Sequence, residues 1–181
     1  MEHALNKKVA DVLAATLTSR GLKVACFDYP EMGGLEESKR IVRELKSGPK
    51  PKIVISIHQN ASGSASVVST MSSTAGGTCY NVVNGSGNST QARKLGRKIV
   101  EGVNRLRDEK GGHYVRTPES NSPANILDYE LPGNPYACSV IIECSFYDNM
   151  NDILWLFRNL RDFTSVVADK AIEYLTEYNL I

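Results

Sequence analysis

Leu5, Val9, Val12, Leu13 and Leu17 recur at three- and four-residue spacing near the start of the chain. That period predicts a helix burying one face, with Gly21 as its stop. The run from Leu22 to Asp28, rich in Val, Ala, Cys and Phe, reads as a short strand. A loop around Pro30 and Gly33-Gly34 leads to a second helix over Leu35 to Leu45. Past Pro49 and Pro51, Lys52-Ile53-Val54-Ile55-Ser56-Ile57-His58 is an almost unbroken apolar run. Such runs belong to strands covered on both faces, and this one predicts a central parallel strand.

The stretch from Ala61 to Gly77 is too small and polar to build core, so it reads as a loop at the rim of a site, followed by a strand over Thr78 to Val83. Ser89 and Thr90 can cap a long amphipathic helix that carries Leu95, Ile99, Val103 and Leu106 and closes at Gly111-Gly112. Loops with Pro118, Pro123, Pro132 and Pro135 flank a short Ile126-Leu127 strand. They lead to Ala137 through Glu143, whose Val140-Ile141-Ile142 core predicts another buried parallel strand. Helical patterns over Asp152 to Phe157 and from Phe163 through Leu175 finish the chain.

Strands alternating with helices predict an α/β fold, a three-layer sandwich with a mainly parallel central sheet flanked by helices. Such sheets place ligands outside the carboxyl ends of their strands, where His58 and Glu143 both stand.

Composition narrows the functional classes. With 181 residues and 41% hydrophobic content the whole chain fits a single domain, 1–181. Its 21 basic and 20 acidic residues nearly cancel, which argues against a nucleic-acid or membrane-surface partner. No apolar run approaches the roughly 20 residues of a membrane-crossing helix. Cys26, Cys79, Cys138 and Cys144 form no C-x-x-C pair, and Cys26 and Cys138 sit inside apolar runs, so all four read as reduced core thiols.

Three residues carry candidate chemistry. His58, at the end of its strand, suits a metal ligand, although taken alone a strand-end histidine is more often a hydrogen-bonded structural residue. Glu143 directly follows Val140-Ile141-Ile142, and a carboxylate there is costly to bury unless a cation, a metal or a proton neutralises it. Glu2 opens the first helix, where the helix dipole favours an acid, and Asn6 lies one turn further on the same face. His3 and His113 read as surface residues.

Three short patterns now stand in order: Glu2-His3-Ala4-Leu5-Asn6, Ser56-Ile57-His58-Gln59-Asn60 and Glu143-Cys144-Ser145-Phe146-Tyr147-Asp148-Asn149. They match the E-x-x-x-N, S-I-H-x-N and E-x-x-F-x-x-N motifs of the zinc-dependent N-acetylmuramoyl-L-alanine amidases of type 3, found in bacterial autolysins and phage endolysins. The chain resembles that family along its whole length. The resemblance implies Zn2+ as cofactor, Glu2 and His58 as metal ligands, Glu143 as the catalytic residue, and Asn60 and Asn6 as substrate-binding or supporting residues. It also implies peptidoglycan as partner, action at the bacterial cell wall and a monomer. The family's first zinc ligand is a histidine ending a strand upstream of the glutamate, and this sequence opens at Met1-Glu2, so that strand is expected to be missing. Two alternatives remain beside the amidase: a metal-free peptidoglycan-binding domain and another zinc peptidase.

Overall fold

In the computed structural model, which describes residues 2–27, 44, 51–62, 73–82, 89–112, 119–120 and 136–181, the first helical pattern forms α1 (Glu2–Ser19) and turns Leu5, Val9, Leu13 and Leu17 inward. The N–H groups of Leu22 and Gly21 donate to the carbonyls of Leu17 and Thr18 at 3.2 and 3.0 Å. That closure needs a left-handed residue, which Gly21 supplies at φ 86°. The strand expected at Leu22 to Asp28 does not form over its described part: residues 22–27 join no sheet. Cys26 is accordingly exposed rather than a core thiol. Asp28 and the helix expected over Leu35 to Leu45 lie outside the described residues, apart from Glu44, which is helical.

Among the described residues the sheet has four strands, β1 (Ile53–Asn60), β2 (Cys79–Asn81), β3 (Glu119–Ser120) and β4 (Cys138–Phe146), in the order β1-β4-β2-β3. β1 runs parallel to β4 and β3 parallel to β2, while β2 is antiparallel to β4. β4 is therefore flanked on both sides, and it is buried as its apolar run predicts. Among the described residues β1 stands at the edge of the sheet and not at its centre, and most of its side chains are only half-buried. Its apolar composition reports covered faces and says nothing about how many strands flank it. β2 covers a shorter stretch than Thr78 to Val83, Ile126-Leu127 falls outside the described residues, and β3 had no signal in the sequence.

The remaining helices are α2 (Ser89–Glu109), α3 (Met150–Arg158) and α4 (Leu160–Glu177). Side chains alternate along β4, so Cys138, Val140, Ile142 and Cys144 share one face. They meet Leu13 of α1, Ile99 and Val103 of α2, Trp155 and Leu156 of α3 and Phe163 and Val167 of α4 in one core. Asn149 caps α3, its side chain accepting from the N–H groups of Asn151 and Asp152. The α/β class and the mainly parallel pairing are as the sequence predicts. All four described helices feed the core on one side of the sheet, and a second helical layer is not present among the described residues. The opposite face of β4 is left to Ser139, Ile141 and Glu143. No helix of the described residues is long and apolar enough to cross a membrane.

Candidate active site

Pairing register builds the site. His58 on β1 stands opposite Glu143 on β4, and Glu143 stands opposite Cys79 on β2. The three form one row across the sheet, on the face away from the helical core. Directly beyond the row the β1–β4 register shifts, so that Asn60 faces Phe146 with one extra residue on β4. A bulge of this kind bends a strand and re-aims its side chains, and bulges recur beside active sites. The first turn of α1 completes the group: Glu2 Oε1 lies 3.6 Å from His58 Nδ1. The Asn6 amide donates to the same Glu2 oxygen at 3.4 Å.

These groups perturb one another. The close approach of His58 holds the Glu2 carboxyl below the usual carboxylate range, against the opposing effect of burial. The same approach raises the His58 pKa, partly offset by burial and reinforced by the negative charge of Glu143. Burial pushes the Glu143 carboxyl up, while His58 and a hydrogen bond from Asn81 work in the other direction. His58 Nε2 also lies 3.1 Å from Ser56 Oγ, its neighbour two residues back on the same face.

A buried polar frame holds the carboxyl end of β4. The Arg107–Asp152 ion pair, with both side chains fully buried, closes at 2.6 Å. Arg107 also donates to Thr78 Oγ1 and to the Cys144 carbonyl, at 3.2 and 3.0 Å, and lies 4.1 Å from the Trp155 ring centroid. The second Asp152 oxygen accepts from the N–H groups of Gly77 and Phe146 at 2.9 and 2.8 Å. One ion pair thus ties α2, the start of β2, the end of β4 and α3 together around Glu143. The turn after β4 fixes both ends of the loop expected at the rim: Asp148 accepts from the N–H of Ser62, its carbonyl accepts from the N–H of Ser73, and Asn149 donates to the Ala75 carbonyl.

Of the residues singled out from the sequence, Glu2, His58, Glu143 and Asn6 converge. Asn60 lies just past the bulge, its amide oxygen accepting from the Ala61 N–H at 2.8 Å and its nitrogen 3.5 Å from Cys79 Sγ. His3 is half-buried on α1, and His113 lies outside the described residues. Three polar residues of this region were not singled out as contributors. Asn81 is buried, and its amide donates to Glu143 Oε1 at 2.9 Å. Its signal was a polar side chain between Tyr80 and Val82 in an otherwise apolar strand. Cys79 closes the row, and Arg107 reads in sequence as one more basic residue near a helix end.

Zinc with nitrogen and carboxylate ligands in tetrahedral geometry sets its donor atoms about 3.3–3.4 Å apart. The Glu2–His58 separation of 3.6 Å fits one edge of such a site. Among the described residues no group of three or more His, Cys, Asp or Glu side chains is arranged to hold a metal. Glu2 and His58 therefore suit two corners of a site whose remaining corner the described residues do not provide.

The sequence matches the N-acetylmuramoyl-L-alanine amidase family over residues 1–175, and the chain belongs to that family. The fold is shared with the catalytic domain of the CD27L endolysin targeting Clostridia difficile, at a TM-score of 0.68 and 20% identity over 95% of this chain and 83% of that one. It is shared with the catalytic domain of CwlV from Bacillus (Paenibacillus) polymyxa var. colistinus, at a TM-score of 0.63 and 18% identity over 100% and 86%. Ami1 from Mycobacterium smegmatis gives a TM-score of 0.68 at 16% identity over 98% and 78%. No curated protein matched the sequence.

Proposed function

We propose that this chain hydrolyses the amide between the lactyl group of N-acetylmuramic acid and L-alanine in peptidoglycan, with Glu2 and His58 as zinc ligands and Glu143 as catalytic acid–base. The observation that carries this reading is the meeting of two donors at the separation of a zinc coordination edge with a half-buried carboxyl in register with one of them. When bound, zinc supplies Lewis acidity that activates water and polarises a carbonyl near neutral pH. The remaining zinc ligand comes from outside the described residues.

Glu143 does the proton work. Burial raises its carboxyl toward the operating pH, which suits a group that must both take and give a proton. It accepts a proton from the attacking water as the new C–O bond forms. It then delivers that proton to the alanine nitrogen as the C–N bond breaks, leaving a lactyl carboxyl group and a free amine. Asn6 holds the Glu2 carboxylate through its amide, and Asn60 orients a substrate amide at the rim. The chain acts at the bacterial cell wall as a monomeric single domain.

The test is digestion of purified peptidoglycan by the zinc-supplemented chain, counting new alanine amino termini and bound metal. Glu143→Gln lowers the rate by about 100-fold or more while metal content persists. Glu2→Ala and His58→Ala lose metal. Undiminished hydrolysis in Glu143→Gln removes Glu143 from its assigned role, and release from plain peptides in place of muropeptides points to a zinc peptidase. A non-catalytic wall-binding domain is the second reading, favoured by the two-donor set. A metal-free chain that sediments with peptidoglycan and releases no amines establishes it.

A further inference from the structure

The Glu143 carboxylate is held asymmetrically. Oε1 accepts the Asn81 amide at 2.9 Å, while Oε2 is buried and has no hydrogen-bond partner among the described residues. Asn81 is itself only 3% exposed, so its amide is withdrawn from water and losing this bond leaves a buried donor unsatisfied. Its place is set by the sheet. On antiparallel β2 and β4, Asn81 faces Ile141 and Cys79 faces Glu143, so Asn81 reaches Glu143 on the diagonal of the same sheet face.

We propose that Asn81 is the positioning residue of the proton-transfer step: its amide clamps Oε1 of Glu143 and thereby leaves Oε2 as the oxygen that exchanges the proton. This rests on the reading of Glu143 as the catalytic acid–base. An unclamped carboxylate rotates about its terminal torsion, which is broad and roughly two-fold, and presents either oxygen in a spread of directions. A single donor of fixed position removes that spread. Asn81 never contacts the substrate in this scheme, so its loss lowers turnover and leaves substrate binding in place.

The experiment uses the full chain with zinc, soluble muropeptide substrate and four proteins: the wild type, Asn81→Ala, Glu143→Gln and the double variant. Asn81→Asp is the isosteric control, equal in volume to asparagine and, when ionised, without a donor. Asn81→Ala and Asn81→Asp are expected to lower kcat by about 10- to 100-fold with KM changed less than about three-fold and metal content unchanged. In the Glu143→Gln background Asn81→Ala is expected to cost nothing further, because groups acting as a unit are not additive. The same loss in both backgrounds, or a kcat within about two-fold of wild type in Asn81→Asp, overturns the proposal. A fully active Glu143→Gln overturns the role of Glu143 instead, so the two failures are told apart. Urea midpoints on all five proteins exclude a folding defect as the cause of lost turnover: a kcat loss that tracks the midpoint loss also counts against positioning.

Discussion

Replacing Asp152 by Asn tests the polar frame behind the site. Both side chains of the Arg107–Asp152 pair are fully buried. Burial presses the Arg107 pKa down, and the negative charge of Asp152 is what opposes it. Asp152→Asn keeps the volume and a carbonyl acceptor for the Gly77 and Phe146 N–H groups, but takes from the buried guanidinium the countercharge that Asp152 supplies. Breaking a buried pair in this way costs about 3–5 kcal/mol, a large share of the roughly 5–15 kcal/mol that holds a domain folded. With a urea m-value of about 2 kcal/mol/M the midpoint falls by about 2 M. Arg107→Met strands the carboxylate and is expected to cost a similar amount. The double variant buries no charge, so its loss is well below the sum of the two singles, with a coupling of about 2 kcal/mol or more. Equilibrium unfolding followed by Trp155 fluorescence measures all four proteins. Single losses under about 1 kcal/mol, or strict additivity, refute the argument that an uncompensated buried charge is what each single variant creates.

Two further outcomes follow from packing and burial. A Cβ at Gly96 on α2 meets the Tyr80 ring at 2.5 Å; Gly96→Ala is therefore expected to destabilise by about 1–3 kcal/mol in urea unfolding despite the better helix propensity of alanine, and a stabilised variant contradicts the close approach. Cys26 is exposed, whereas burial pushes the Cys79 and Cys138 thiols up to about 12 and about 11 and raises Cys144 as well. Near neutral pH a thiol reagent followed by peptide mass spectrometry is thus expected to label Cys26 first and the other three only on unfolding; rapid labelling of Cys144 in the folded protein contradicts this.

Much of the fold was legible because its signals are local. The three- and four-residue spacing in α1, α2 and α4 reports which face each helix buries, and Gly21 marks a stop that its positive φ explains. The apolar run of β4 reports its burial in the core. The similar run at Ile53–Ile57 did not show that, among the described residues, β1 stands at the sheet edge, since edge and inner strands share a composition. Residues 22–27 had strand propensity and join no sheet among the described residues, since propensity alone does not make a ladder.

The sequence by itself determined the class of fold, the family and the identity of Glu2, His58 and Glu143 as the residues to watch, because strand ends and helix starts are read from neighbours in the chain. What the tertiary structure decided was their company. Register across three strands set His58, Glu143 and Cys79 in one row and brought Asn81 within 2.9 Å of Glu143. Packing of α2 against the sheet put Arg107 beside Asp152, 45 residues away. These contacts depend on pairing register and on which faces meet, and both are fixed by hydrogen bonds and burial between segments distant in sequence, which no local pattern records.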